Sequence, residues 1–573
     1  MSIHNKEIAD LFDELADLLE VEDSNPFRVR AYRNGARTIR EHTRGMAELV
    51  EQGEDLSNLP NIGDDLSEKI KTIVKTGRLP LLEQVHARTP PALSGIMQIR
   101  GLGPKRVKAL YEELNIKNLD ELKRAAHNGQ IRKLAGFGKK TEQMIRNRVE
   151  EFTQSEKRIK LIEAHDIATS LCNHLKKSKG IKDLTIAGSY RRCKETVGDL
   201  DILATAQDNT DVMERFVAYT EVKEVISQGD TRSTIRLRSG LSVDLRVVPE
   251  ESYGAALHYF TGSKAHNIAV RNIALKQNLK LNEYGLFKGK KRIAGNTEKD
   301  VYTQVDLPYI EPELRENRGE VDAAKEGKLP ELVTLKDIRG DLHCHTKATD
   351  GKNTLEEMAH AATRRGYEYF SINDHSQHMA MAHGLNEKRL LEQMEEIDRL
   401  NEKLEDIVIL KSIEVDILRD GTLDLPHRVL KKLDFTVCAI HSNFDLSRSQ
   451  QTERLLRAMD NPYFNILAHP TGRLINARES YAVDLEKIMQ GAKERGCFME
   501  LNAHPDRLDL TDDACMTAKR MGLKTAVNTD AHSISGLDFM RFGINQARRG
   551  WLEATDVINC LPLKKLKKIL IRK

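Results

Sequence analysis

Between residues 337 and 550 a short apolar run repeatedly ends in a histidine, aspartate or glutamate: DLHCH, YFSINDH, VILKSIEVD, FTVCAIH, FNILAHP, CFMELN and TAVNTDAH, with helical stretches between them. Few folds satisfy that pattern. Strands alternating with helices give a parallel β/α arrangement, and in a (β/α) barrel the carboxyl ends of the strands open on one mouth, so ligands scattered along the chain converge in space. The candidates are His343, His345, Asp350, His375, Glu414, His441, His469, Asp530 and His532. His343-x-His345 and Asp530-x-His532 each put two donors on one side of a strand end. Imidazole mixed with carboxylate is the donor set of zinc, manganese or iron sites, and nine donors suffice for up to three ions. A lone histidine of this kind is more often structural; one acid or histidine at nearly every strand end is not.

The rest of the 573 residues leaves room for a second active site, since a domain averages roughly 100 to 200 residues. Lys plus Arg (90) nearly balance Asp plus Glu (87), a formal net charge of +3, so nucleic-acid affinity has to come from local basic surfaces. Seven cysteines without a C-x-x-C pair argue against a disulfide framework or a zinc-finger site and fit a reducing cytoplasm. The amino terminus reads as an amphipathic helix, and no apolar run approaches the ~20 residues that cross a bilayer, so a soluble protein without membrane contact is expected.

Residues 1–85 read as helices broken at Asn25-Pro26, Gly35, Gly53 and Gly77-Arg78. One pattern then occurs three times: LPNIGDDLSEKI from Leu59, IRGLGPKRVKAL from Ile99 and LAGFGKKTEQMI from Leu134. Each is an apolar residue, a tight turn closing on glycine (Gly63; Gly101 and Gly103; Gly136 and Gly138), then a helix start. Free N–H groups and the dipole at such a start suit a phosphate. Lys105, Arg106 and Lys108, then Lys139 and Lys140, follow the second and third turns, as sequence-independent contact with DNA backbone requires. These segments resemble helix-hairpin-helix motifs.

From about residue 181 short β-rich runs alternate with helices. In GSYRRCKETVGDLDIL, period-two geometry puts Asp199 and Asp201 on one face of a strand. Such a pair is weak alone, because about 13 acidic-x-acidic pairs arise by chance at this composition. Asp244, in the apolar run LSVDLRVV, adds a third carboxylate whose burial unpaired would cost several kcal/mol. Gly188-Ser189 lets backbone approach a triphosphate and Arg192 offers a fork of donors to it. The set suits in-line phosphoryl transfer by two metals.

GSYRR, GDLD, VDLR and the later YFTGSKAHN, in this order and spacing, resemble the family X DNA polymerases over residues 1 to 315. The resemblance implies that Asp199, Asp201 and Asp244 hold two Mg2+ ions, with Asp244 nearest the primer 3′-hydroxyl. It implies that Gly188, Ser189, Arg192 and Gly198 meet the nucleotide's phosphates, that Tyr259, Phe260 and Gly262 form the sugar-binding segment, and that Asn267 and Arg271 probe the minor-groove edge of the nascent pair. Lys264 departs from the acidic residue of the vertebrate repair enzymes, which puts affinity or sugar selectivity in question. In members with 5′-deoxyribose-phosphate lyase activity a lysine of the first hairpin helix forms a Schiff base; Lys69 matches it, with Tyr32 and Arg28 as supporting groups, but Asp65 replaces a basic residue there. A solvated helix lysine is an equal reading of Lys69.

The strand-end ligands from His343 to His532 resemble the polymerase-and-histidinol-phosphatase (PHP) domain, with no ligand position lost. That implies a metal-dependent phosphoesterase holding Mn2+ or Zn2+. Arg473, after His469-Pro470, is a candidate phosphate contact or a surface arginine. The basic amphipathic tail LPLKKLKKILIRK suits contact with DNA or a membrane surface, or packing as a terminal helix with solvated lysines, and the last is the favoured reading.

The expected architecture is multidomain: a helical 8-kDa-like DNA-binding domain (1–85), a helix-hairpin-helix region (86–150), an α/β nucleotidyltransferase palm (151–250), a nascent-base-pair subdomain (251–315), an exposed linker (316–336, its polar character beginning at 311) and a distorted (β/α) PHP barrel (337–573). The expected function is a monomeric gap-filling repair polymerase acting on gapped or primer-template DNA and dNTPs, with 3′-to-5′ exonuclease or 3′-end phosphoesterase activity and apurinic/apyrimidinic endonuclease activity within range. Two other readings stay open at this point: a PHP domain that is only a DNA-binding scaffold, and a non-catalytic DNA-bridging protein built on the hairpins.

Overall fold

A computed structural model describes residues 5–42, 44–97, 99, 101–154, 158–207 and 210–572. The chain forms two compact units, residues 1–159, 165–178 and 211–244 in one, and 160–164, 179–210 and 245–573 in the other.

The first unit opens with α1 (Asn5–Val21) and α2 (Pro26–Glu41). The break at Asn25-Pro26 is a helix start, where the Asn25 side chain accepts from Phe27 N at 2.9 Å and Pro26 fills the first helical position. The three hairpin turns precede α3 (Asp64–Thr76), α4 (Pro104–Leu114) and α5 (Lys139–Gln154). They are built alike. Asn61, Gly101 and Gly136 occupy the left-handed region at φ 59°, 88° and 78°. The next residue, Ile62, Leu102 or Phe137, is buried and its N–H donates back to Leu59, Ile99 or Leu134 O at 3.1, 2.9 and 3.1 Å. One apolar core runs from Ile8 to Val149 through all three copies. The unit also holds the antiparallel pair β3 (Val222–Ser227) and β4 (Arg232–Leu237).

In the second unit β1 (Ile181–Ile186) pairs antiparallel with β2 (Asp199–Ala206). β5 (Ser242–Val247) crosses the boundary, Asp244 being the last residue of the first unit. Then come α6 (Tyr253–Thr261), α7 (Lys264–Lys276) and the antiparallel β6 (Lys280–Asn282), β7 (Gly285–Lys288) and β8 (Lys291–Ala294).

Residues 311–336 are not the exposed linker that their polar composition suggests. Leu314, Val321, Ala324, Leu332 and Val333 are buried, as are Arg315 and Glu320. The charges are paired: Arg315 Nη1 lies 2.6 Å from Glu298, and Glu320 lies 2.7 Å from His266 Nδ1. Internal partners let charged residues enter a core that unpaired ones would disrupt.

Beyond it β9 (Gly340–Asp341), β10 (Tyr369–Ile372) and β11 (Val408–Lys411) form one parallel sheet. β12 (Glu414–Asp416), β13 (Val437–Ala439), β14 (Ile466–Leu467), β15 (Phe498–Asn502) and β16 (Thr525–Asn528) form another. Parallel bridges His375↔Glu414 and Cys344↔Ala531 link the two sheets at both margins, so the strands follow one another around a ring, as a distorted β/α barrel requires. The tail forms α9 (Leu563–Leu570), with Leu566 and Leu570 buried, as its amphipathic spacing predicts.

Candidate active sites

Eight of the nine PHP ligand candidates follow a strand of the ring, and Glu414 begins one. His343 and His345 follow β9, with Asp350 in the same loop; His375 follows β10 and Glu414 opens β12. His441 follows β13, His469 follows β14, and Asp530 and His532 follow β16. Three groups have donor atoms within 4.8 Å of one another: His343, His345 and Asp530; His345, Asp350, His375 and His532; His375, Glu414 and His441. His469 joins them through Nε2, 3.0 Å from Glu414 Oε1. All nine expected ligands therefore converge.

The donor set fits divalent ions. His343 Nε2 and His345 Nε2 face each other at 3.2 Å, each with Asp530 Oδ1 within 3.7 Å. His375 Nδ1 and Glu414 Oε2 lie 2.9 Å apart yet make no hydrogen bond, and His345 Nδ1 is likewise buried without a partner. Buried polar atoms in native proteins are paired, so such a group of orphans asks for a cation. His469 (φ 28°) and Asp530 (φ 54°) are held at positive φ, each at a cost of about 1–3 kcal/mol that persists where surrounding structure imposes it.

Within the protein the imidazole and carboxylate charges compensate one another. Burial works against charged imidazoles, but Glu414 and Asp350 outweigh it and push His441 and His532 up to about 9. Burial and the adjacent His532 take His345 the other way, to about 4. Burial would raise Glu414; His375, His441 and His343 hold it well below the usual carboxylate range.

The sequence reading missed the partners behind these ligands. Glu500, on β15, lies 2.7 Å from His343 Nδ1 and accepts from His469 N at 2.7 Å. Asp416 lies 3.1 Å from His441 Nδ1. Asn502 Nδ2 donates to Glu500 and Asp530, both at 3.1 Å. A carboxylate on the far nitrogen fixes a ligand imidazole's tautomer and orientation. Both acids stand in runs already singled out, CFMELN and VILKSIEVD, and this was the available signal. Arg473 is neither a surface arginine nor free for phosphate: it bonds Glu195 Oε2 at 2.7 Å and Leu508 O at 2.5 Å.

At the polymerase motifs, Asp199 and Asp201 alternate along β2 with the buried Leu200 and Ile202, so both carboxylates share a face. Gly188, at φ 63°, begins the turn after β1, and a Cβ there would lie 2.5 Å from Asp201 Oδ2. Asp244, in the other unit, is half-buried and accepts from the Thr234 hydroxyl, with Arg232 Nη2 at 3.4 Å. Its charge is thus paired rather than stranded.

Ser189 and Gly198 are half-buried near the ends of the loop between β1 and β2. Arg192 Nη1 donates to Thr261 O at 2.6 Å and Nε to Glu316 at 3.0 Å. Neighbouring Arg191 pairs with Glu298 at 2.6 Å, a contact the motif did not suggest. Gly262, at φ 67°, ends α6 beside Arg192. Tyr259 is exposed, Phe260 stacks under Arg246 at 4.4 Å, and Asn267 Nδ2 donates to Tyr259 O at 2.7 Å. Lys264 and Arg271 are exposed on α7.

In the hairpins, Gly63 and Gly103 precede their helices directly, and Lys105, Lys139 and Lys140 stand in first turns. Lys108 is tied to Asp23. The first helix instead begins with Asp64 and Asp65, and Asp65 pairs with Lys69. Tyr32 is buried against Phe12, at 5.8 Å between ring centroids, and Arg28 is exposed.

Residues 3–79 match the helix-hairpin-helix domain family and 94–151 the SAM-like helix-hairpin-helix tandem. Residues 158–247 match the DNA polymerase beta palm, 256–316 the DNA polymerase beta thumb and 341–504 the PHP domain. Among individual proteins, a probable phosphatase of Thermoanaerobacter sp. (strain X514) is 33% identical over 206 residues, 34% of this chain and 78% of its own length. DNA polymerase lambda of Arabidopsis thaliana is 27% identical over 308 residues, 46% of this chain and 54% of its own. The DNA polymerase/3′-5′ exonuclease PolX of Bacillus subtilis (strain 168) is 37% identical over 574 aligned positions, 100% of both chains. Hairpins, palm, thumb and a PHP ring in this order, matched along the whole length, place the chain in the bacterial PolX family, family X DNA polymerases with a carboxy-terminal PHP domain.

Proposed function

We propose that this chain is a template-directed DNA polymerase that fills short gaps in base-excision repair, and that its PHP domain is a 3′-to-5′ exonuclease with its own metal centre. The observation that carries the reading is the convergence of nine donors from the strand ends and loops of one ring, all but Asp350 buried or half-buried, in a chain alike from end to end to a DNA polymerase/3′-5′ exonuclease. A scaffold has no need of orphaned imidazole nitrogens.

On this reading Asp199, Asp201 and Asp244 hold Mg2+ ions, and the PHP donors hold Mn2+ or Zn2+, up to three. Bound there, divalent ions supply Lewis acidity and neutralise charge developing on phosphorus. The chain's own groups do the rest. Ser189, Gly198, the backbone at Gly188 and the Arg192 guanidinium orient the triphosphate; Asp244 faces the primer 3′-hydroxyl; Tyr259, Phe260 and Gly262 bed the sugar; Asn267 and Arg271 test the pair's minor-groove edge. Gly63, Gly101, Gly103, Lys105, Gly136 and Gly138 belong to the DNA-backbone contacts. Gapped DNA and dNTPs are the substrates, the chain acts as a monomer, and seven cysteines without a disulfide among them suit the cytoplasm. None of the described helices is long and apolar enough to cross a membrane. Lyase activity is not favoured: Lys69 Nζ is engaged by the Asp65 carboxylate, whereas forming a Schiff base requires that nitrogen free.

The test is a primer-template with a one-nucleotide gap, given to wild type, Asp201→Ala and His345→Ala, with magnesium or manganese and with or without nucleotides. Loss of extension alone in the first variant, and of degradation alone in the second, is the expected result. Degradation that survives His345→Ala returns the PHP domain to a scaffold.

A further inference from the structure

The arginine that is read as the triphosphate ligand is held by an acid that is itself held from the PHP domain. Arg192 Nε bonds Glu316 Oε1 at 3.0 Å. The same oxygen accepts from Arg549 Nη1 at 2.9 Å, and that nitrogen also donates to Arg192 O at 2.8 Å. Arg549 ends α8 (Met540–Arg549), a helix of the PHP domain, and its Nη2 is anchored on Asp512 at 2.6 Å. All four residues lie in one compact unit, and Arg549 is 3% exposed. Arg318 braces the group, donating to Arg549 O at 2.9 Å and pairing with Asp512 at 3.2 Å.

Glu316 is thus an anion shared by two arginines. Burial would raise its pKa, but Arg192 and Arg549 hold it below the usual carboxylate range, so it stays charged. The sharing has a consequence for any anion that needs Arg192. A guanidinium leaving a half-buried carboxylate for a phosphate strands that carboxylate, which is costly unless another cation remains on it. Arg549 is that cation. Nothing in the palm motif predicts it, because it comes from a domain with chemistry of its own.

We infer that Arg549 is a positioning residue for the polymerase site: by keeping Glu316 neutralised from the PHP side, it frees Arg192 to engage the incoming nucleotide's triphosphate. The inference rests on the reading of Arg192 as a phosphate ligand. Without Arg549, Glu316 holds Arg192 alone and competes with the nucleotide. The competition is removed if Glu316 loses its charge.

Gap-filling kinetics on the full chain test this. Arg549→Gln is expected to raise the KM for dNTP by about ten-fold with kcat changed far less, the size of a typical coupling between sites. Arg549→Lys, which keeps the charge, is expected to recover most of the affinity. The double variant Arg549→Gln with Glu316→Gln is expected to return KM toward wild type, a recovery that a merely structural role for Arg549 would not give. Exonuclease activity reports folding, since Arg549 lies in the PHP domain outside the metal ligands, and it is expected to stay at the wild-type rate. An unchanged KM in Arg549→Gln with intact exonuclease, or no recovery in the double variant, overturns the inference. Arg192→Ala separates the two layers. If it leaves the KM for dNTP unchanged, the reading of Arg192 itself is wrong; if it raises KM while Arg549→Gln does not, only the role of Arg549 fails.

Discussion

At the PHP mouth His343, His345, Glu414 and His469 are buried to 3% exposure or less, and acids such as Glu500 and Asp416 stand behind the imidazoles. On the palm Asp199 is exposed and Asp201 half-buried, and Asp244, half-buried in its own unit, is taken up by Thr234 and Arg232. The first site gathers its donors from one continuous ring of strands. On the proposed reading the second offers few carboxylates, which suits Mg2+, an ion that keeps waters and takes substrate phosphates as ligands instead of a dedicated protein cage.

The sharpest way to break this contrast is Glu414→Gln. Glu414 lies within 3.6 Å of His343, His345, His375, His441 and His469, so its loss is expected to remove metal from the PHP domain and lower exonuclease activity by about 10³-fold or more, leaving extension intact. Metal content by plasma mass spectrometry, beside both activities, checks it. Retained metal and retained exonuclease would mean that the ring of ligands is not the centre it is taken for.

If the palm site is lightly built at its carboxylates, its rigidity has to lie behind them. Glu298 is the place: 7% exposed, it bonds both Arg191, in the turn proposed to meet the triphosphate, and Arg315. Burial would raise its pKa, but Arg191 and Arg315 hold it at about 2 against an ordinary 4.5. A depressed carboxylate stabilises the fold above its unfolded value and loses that contribution as pH falls, here between about 4.5 and 2. Glu298→Gln is expected to cost about 3 kcal/mol at neutral pH, by leaving two arginines under-compensated. Its stability is also expected to fall less steeply below pH 4.5 than that of wild type in urea titrations. Equal slopes would place the rigidity elsewhere.

A smaller effect is expected one layer out from the PHP ligands. Glu500→Gln keeps the shape of the group that orients His343 and removes its charge, and outer partners of this kind are worth about 10- to 100-fold in metal affinity. Exonuclease activity titrated with Mn2+ should shift to higher metal and recover at saturation. Loss that no amount of metal restores would make Glu500 a ligand in its own right.

These sites were not equally legible. Strand-end donors and the Asp199-x-Asp201 alternation are local patterns: a period of two or a run's last residue is enough to place them. The three hairpin turns were legible for the same reason, and Asn61 shows that the rule concerns a left-handed residue and not glycine as such. What escaped depends on partners far along the chain. Residues 311–336 look like a linker because composition counts their charges, whereas the fold pairs Arg315 with Glu298 and Glu320 with His266. Glu500 reads as a strand residue until His343, 157 positions away, meets it. Arg473 reads as a surface arginine or a phosphate contact until Glu195 takes its guanidinium.

The hairpins carry the contrast between built and borrowed sites to its smallest measurable effect. Their turns share one backbone shape, so any difference in DNA affinity has to come from what the following helix places in its first turn. Two copies place Lys105, Lys139 and Lys140 there; the first places Asp64 and Asp65 beside the same free N–H groups. Each lysine that neutralises a phosphate releases counterions, so Lys105→Ala and Lys140→Ala should each weaken binding evenly across sequences and reduce the slope of log K against log salt by about 1. Lys71→Ala, on the acidic first helix, should leave the slope unchanged, because Lys71 is spent on Glu68 at 2.7 Å. A slope that falls equally for all three would mean that the first hairpin grips phosphate despite its aspartates, and that the shape of the turn, not the charge after it, decides where DNA is held.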